Sequence, residues 1–238
     1  AILGTGMVAY GCGMYRVFLC PPPVAKPPKD KLPKQTMSHM PSRVDVRPGE
    51  RVYDGFFKID SAQVSYERFD GSMSPPMNRL VFERGDSVAV LPFDPERREV
   101  VLIKQFRYPA YVRNGPGWLW EIIAGMQDGG RDAETVARSE AMEEAGYKLG
   151  EMRKIMTIYP SPGGSSERVH IYLAPVTRCE QVAKGGGLPE SGEDILVRTF
   201  DLDEALEMIE AEDYIDAKTA LSLEYLKAHW DELSKSVH

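Results

Sequence analysis

The residues best suited to chemistry in this chain are three glutamates, Glu140, Glu143 and Glu144, in the stretch SEAMEEAGY. Asp132 ahead of them is a helix N-cap and Gly146 behind them a stop, so the spacing predicts a helix over residues 133 to 145. On a helix turning by about 100° per residue, the three carboxylates share an arc of about 120° with Ala133, Val136 and Ala137. Arg138, Met142, Thr135 and Ser139 fall on the other side. The acids therefore extend the small apolar stripe that packs on the rest of the fold. Like charges at this spacing repel by a few tenths of a kcal/mol when exposed, and unpaired carboxylates near a core cost several times more. A hard divalent cation, Mg²⁺ or Mn²⁺, is the ligand that such oxygens suit, together with waters and substrate phosphates. A solvated acidic face is the competing reading, and placement on the apolar arc argues against it.

The elements that must position this helix are short apolar runs separated by turn residues. WLWEIIAGM reads as a strand that ends in DGG, so strand, glycine turn and acidic helix form the central unit. NRLVFERGDSVAVLPFD and REVVLIKQFRY read as neighbouring antiparallel strands joined by DPERR. VYDGFFKIDSAQVSYERFDGS reads as a hairpin turning near Asp60 and Ser61. Further strands are expected in EMRKIMTIY, VHIYLAPV and DILVRTFDL. Two helices are expected at the end of the chain, from 203 to 210 and from 216 to 234, the second with apolar residues at helical spacing. This order predicts an α/β fold, a mixed sheet covered by helices on both sides, with a small antiparallel β subdomain before it.

At 238 residues, 42% hydrophobic and 27% charged, the chain has ordinary globular composition. A net charge of -7 argues against nucleic acid as a partner, because duplex binders displace counterions with basic patches. Cys12, Cys20 and Cys179 show neither a metal-binding spacing nor a disulfide framework, which points to a reducing cytoplasm. The opening twenty residues are apolar, but four glycines and Arg16 interrupt them. A signal peptide or membrane anchor is the less favoured reading there. Six prolines in the fourteen residues of PPPVAKPPKDKLPK then make an extended linker. The expected division is a leader over 1 to 48, the β subdomain over 49 to 84 and the main domain over 85 to 238. No membrane attachment is expected.

GMQDGGRDAETVARSEAMEEAGY resembles the Nudix hydrolase box in the spacing of Gly125, Glu140, Glu143, Glu144 and Gly146. It departs from that pattern at Arg131, where the family usually has glutamate, and at Ser139, where it has arginine. YDGFFKID, LVFERGDSVAVLPFDP, VVLIKQFRYPAY, EIIAGM and SPGGSSER are similar, in the same order, to segments of the bacterial ADP-ribose pyrophosphatase branch. Pro162 stands 15 residues after Tyr147, a spacing associated with that branch. The resemblance runs from residue 51 to the C-terminus.

It implies a Nudix-type α/β/α sandwich and Mg²⁺-dependent hydrolysis of ADP-ribose to AMP and ribose 5-phosphate. It implies metal ligands at Glu140, Glu144 and the Ala124 carbonyl, with Glu143 close by and Glu193 added from a loop. Phe56 and Phe57 would cover the adenine from the partner of a homodimer that exchanges N-terminal strands. Arg79, Arg84 and Arg107 would hold phosphates or ribose, and Met126, Ser161, Gly163 and Glu167 would line the rest. His39, His170, His229 and His238 lie away from the helix, so the proton acceptor is expected among loop carboxylates. The position matching the family's loop base holds Ser191, which leaves Glu190 or Glu193. Two alternatives stay open: another nucleoside diphosphate sugar such as GDP-mannose, or a module that binds a nucleotide sugar without cleaving it.

Overall fold

The computed structural model describes residues 40–127, 129–188, 190, 192–211 and 215–235. Most of the leader, with His39, and also Ser191 and His238, lie outside the described residues.

A small antiparallel sheet comes first, built from β1 (Val44–Asp54), β2 (Lys58–Tyr66) and β3 (Met77–Glu83) in that order. β1 starts inside the stretch expected to be linker, and its alternating valines at 44, 46 and 52 supply the β-branched side chains a strand favours. The turn expected at Asp60 and Ser61 is not there. β2 runs straight through both residues, and the chain reverses at Gly55–Phe57, where the Gly55 N–H donates to the Phe57 carbonyl. Glycine permits that bend, whereas Asp60 is occupied in pairing with Arg51 across the strands.

The main sheet has the order β10-β5-β4-β9-β8, with β4 and β9 parallel and the other neighbours antiparallel. Its strands are β4 (Ser87–Asp94), β5 (Glu99–Phe106), β6 (Trp118–Glu121), β7 (Ile123–Met126), β8 (Arg153–Ile158), β9 (Val169–Pro175) and β10 (Leu196–Asp201). β4 and β5 are a hairpin, as expected, but they pair only at Phe93–Val100 and Asp94–Glu99 before they part. WLWEIIAGM fills the gap as two strands rather than one. β6 pairs with β5 through Glu121, Ile122 is the crossing point, and β7 pairs with β4 from Ile123 onward. The split at Ile122 carries Ala124 and Gly125 to the middle of the sheet.

Helix α1 (Tyr108–Tyr111) is a single turn with proline in its first turn, a position that loses no helical hydrogen bond. Helix α2 (Ala133–Ala145) has the bounds expected from the sequence. Asp132 accepts the Thr135 N–H at 2.9 Å, and Gly146 closes the helix at φ 74°. At the end of the chain, α3 (Leu202–Glu210) is followed by α4 (Ala217–Ala228) and α5 (Trp230–Leu233). The expected long last helix is therefore interrupted at His229, whose imidazole stacks on Tyr225 at 4.1 Å.

Alternation along β4 and β5 divides the core into two layers. Ala89, Leu91, Phe93, Val100 and Leu102 pack with α3, α4 and α5. Val88, Val90, Val101 and Ile103 pack with Val136, Ala137, Ala141 and Ala145 of α2. The sheet is thus covered on both faces, an α/β/α sandwich with the small sheet appended. No helix among the described residues is long and apolar enough to cross a membrane.

Candidate active site

α2 lies over β7, and this contact brings the glutamates to the sheet. Glu144 is buried, and its Oε2 accepts the Ala124 N–H at 3.1 Å. A strand residue presents its N–H and C=O on the same edge, so the Ala124 carbonyl leaves β7 on the glutamate side as well. Glu140 lies directly across Gly125: a Cβ at that position would occupy the space of the Glu140 carboxylate. Glu140 and Glu143 are only half-buried, so the apolar arc continues fully into Glu144 alone. The Ser139 hydroxyl donates to Glu143 Oε1 at 2.9 Å, which gives this departure from the family pattern a local role in holding Glu143. The other departure, Arg131, accepts from Gln127 Nε2 through its carbonyl.

Burial pushes the Glu144 carboxyl up to about 8; the charges of Glu140 and Glu193 add to the rise, and the Ala124 N–H and Arg107 oppose it. Desolvated acid beside further acid is what a cation relieves. The oxygen-only donors of Glu140, Glu144, Glu193 and Ala124 fit a hard divalent ion. Among the described residues, no three acidic, histidine or cysteine side chains already converge as a complete cluster.

The loop after β9 is tied to the end of α2. The Gly186 N–H donates to the Glu144 carbonyl at 2.9 Å, and the Gly187 N–H to the Glu143 carbonyl at 3.1 Å. Glu193 folds back onto this loop, where its Oε2 accepts the Leu188 N–H at 2.8 Å. Glu190 is exposed farther along. His170 bonds Thr157 on β8, and His229 bonds the Tyr225 carbonyl, so neither described histidine joins the glutamates.

On the other side of Gly125, residues expected to hold substrate form a continuous line. Met126 pairs opposite Ser87, the Ser87 hydroxyl donates to Glu167 Oε1, and Glu167 Oε2 stands 3.6 Å from Arg84. The Arg84 guanidinium lies 5.6 Å over the Phe57 ring, and its buried Nε has no hydrogen-bond partner among the described residues. Phe57 meets Phe56 and Phe82 edge to face, and the turn that starts at Ser161 and holds Gly163 is bonded to β3 through Gly164 and Phe82. Phe56 is 82% exposed, which removes core packing as its role.

Two of the expected arginines sit differently. Arg79 is exposed in mid-β3, three residues from Phe82 and hence on the opposite face, with its guanidinium against Asn78 and Met77. Arg107 forks onto Glu121, Nε to Oε1 at 2.8 Å and Nη2 to Oε2 at 2.9 Å. Glu121 is only 2% exposed and also accepts from Lys218 Nζ at 2.9 Å. Burial alone would raise its carboxyl; the Arg107 and Lys218 contacts overcome that and bring it to about 2. The sequence reading missed Glu121 and Lys218. Their signal was the lone acid inside the apolar run WLWEIIAGM, since such an acid is rarely buried without partners.

The NUDIX domain model matches residues 83–220. The chain is similar to the ADP-ribose pyrophosphatases of Escherichia coli (strain K12) and Shigella flexneri, each 38% identical over 187 residues, with 78% of this chain and 88% of the relative covered. It is also similar to a GDP-mannose pyrophosphatase of Escherichia coli (strain UTI89 / UPEC), 37% identical over 175 residues, with 73% and 90% covered. The box helix, its glycine strand and the extent of these matches agree: the chain belongs to the NUDIX domain family.

Proposed function

We propose that the protein hydrolyses the diphosphate of ADP-ribose to AMP and ribose 5-phosphate with a divalent cation, Mg²⁺ or Mn²⁺. The carrying observation is the buried Glu144 bonded to the Ala124 N–H, with the Glu140 carboxylate against Gly125, next to the line from Met126 to Phe57. The names of the ADP-ribose pyrophosphatase relatives support the substrate. When bound, the cation would neutralise diphosphate oxygens and make a bound water more acidic. Glu140, Glu144, Glu193 and the Ala124 carbonyl would hold it, with Glu143 adjacent.

Arg107 would offer the diphosphate its Nη1, which lies outside the Glu121 fork, and Arg84 the half-buried end of its guanidinium. Phe57 and Phe56 would stack on the base, while Met126, Glu167 and the Ser161–Gly163 turn bound the ribose. Water attacks one phosphorus, a bridging P–O bond breaks, and the water's proton passes to a loop carboxylate, Glu193 or Glu190. To take that role Glu193 would give up the Leu188 N–H.

Every residue of β1 is exposed, with Val44, Val46, Val52 and Tyr53 uncovered, and Leu80 of β3 is exposed too. A three-stranded sheet this bare needs a partner face. A homodimer with exchanged N-terminal strands would supply one. The exposed free thiol of Cys179 fits a cytoplasmic setting.

Incubation with ADP-ribose and Mg²⁺, followed by chromatography, should yield AMP and ribose 5-phosphate in equal amounts. No AMP with either Mg²⁺ or Mn²⁺ overturns the reading. GDP-mannose, suggested by the second group of relatives, belongs in the same assay, and faster turnover of it reassigns the substrate.

A further inference from the structure

We propose that Glu121 and Lys218 are positioning residues that hold the Arg107 guanidinium in its working orientation, with α4 as the anchor. An arginine on a free stem loses much rotamer freedom when it binds an anion, and a fork fixed beforehand removes that cost. Here both Glu121 oxygens are used: Oε1 takes Arg107 Nε, and Oε2 takes Arg107 Nη2 and Lys218 Nζ. Lys218 is bonded in turn to Asp216, the N-cap of α4, which accepts the Thr219 N–H at 3.0 Å.

The same first turn of α4 grips the strand crossing beside Glu121. Thr219 Oγ1 accepts the Ile122 N–H at 2.8 Å, and Trp120 bridges to Ile215. One turn of helix therefore sets both the backbone that leads to Ala124 and the carboxylate that aims Arg107. The charges within the cluster balance, two cations against two carboxylates, so loss of Lys218 leaves Glu121 and Asp216 in excess and Arg107 held by an unbalanced partner. Among the described residues the Lys218 ammonium pairs with Glu121 and Asp216, and the side chain is 14% exposed, which sets it apart from a direct substrate contact.

The kinetic part of this proposal rests on the hydrolase reading. Lys218→Met and Lys218→Arg are made in the wild type and in Arg107→Ala, and kcat and KM for ADP-ribose are measured. Lys218→Met should lower kcat on the order of 10- to 100-fold, as expected when a group is misaimed rather than removed. Lys218→Arg should restore most of that loss, and in the Arg107→Ala background Lys218→Met should cost nothing further. An unchanged kcat, or the same loss in both backgrounds, overturns the proposal. A readout independent of turnover is the NMR resonance of the Arg107 Nε–H, identified by its disappearance in Arg107→Ala. It should be protected from exchange in the wild type and exchange faster in Lys218→Met, whereas an unaltered signal counts against the proposal. If the wild type makes no AMP, the hydrolase reading falls and this resonance alone decides the positioning role. Should Lys218→Met fail to fold, Glu121→Gln replaces it with the same expectations.

Discussion

Glu144 carries a conflict between stability and chemistry. Its carboxylate is buried against the strand that would present the metal, and burial with neighbouring acid raises it to about 8. Replacing it by glutamine keeps an acceptor for the Ala124 N–H and removes the charge. Glu144→Gln should therefore lower ADP-ribose hydrolysis by about 100-fold or more, while the melting temperature without metal stays level or rises. Nearly intact turnover would remove the metal assignment. Glu121 shows the opposite shift, from 4.5 to about 2, because two cations face it. Its contribution is present above pH 4.5 and is lost as the pH falls toward 2. In thermal melts, the wild type should lose stability across that window. Glu121→Gln should be less stable by about 3–5 kcal/mol at neutral pH, since it breaks a buried ion pair, and should show a flatter acid dependence.

Helix α2 and the glycine loop act as one element because they are joined through backbone. The Glu143 and Glu144 carbonyls receive Gly187 and Gly186, and Gly185 sits at φ 66°, where an added Cβ would run into the Glu144 carbonyl and the Ala145 backbone. A side chain there meets both an unfavourable backbone region and the end of the helix. Gly185→Ala should therefore displace the segment that carries Glu190 and Glu193. The expected outcome is a fall in kcat of about 10-fold or more with little change in overall fold, measured by steady-state kinetics beside circular dichroism. An unaltered kcat would mean that the loop takes its working position without this anchor. The split between β4 and β5 has a comparable role. It admits β6 and β7, and the first turn of α4 holds them in register.

The bare face of the N-terminal sheet is where the proposed homodimer would form. Sedimentation velocity should give the mass of a dimer. Val46→Asp combined with Leu80→Asp should give a monomer, since both side chains are exposed in the single chain and a charge there costs the isolated fold little. If Phe56 serves the neighbouring site, that monomer should also bind ADP-ribose more weakly. A monomeric wild type with full activity would refute the exchanged-strand dimer.

Where an interaction is local in the chain, the amino-acid order sufficed to read it. Asp132 and Gly146 bound α2 to the residue, because caps act over three or four positions, and the glutamate arc follows from helical geometry alone. The resemblance added the sandwich architecture and named most of the residues along the line from Met126 to Phe57. The turn at Gly55–Phe57 was misplaced because short polar pairs such as Asp60 and Ser61 serve equally in strands once a cross-strand partner is present. Glu121 and Lys218 lie 97 residues apart, and Arg84 meets Glu167 from another strand end. Such pairs depend on which strands separate and which helix turn fills the gap, and no periodicity in the chain records that. Arg107 shows the difference most clearly: the resemblance implied a contact to phosphate or ribose, and the packing of α4 on the Ile122 crossing set which of its nitrogens remains outside the Glu121 fork.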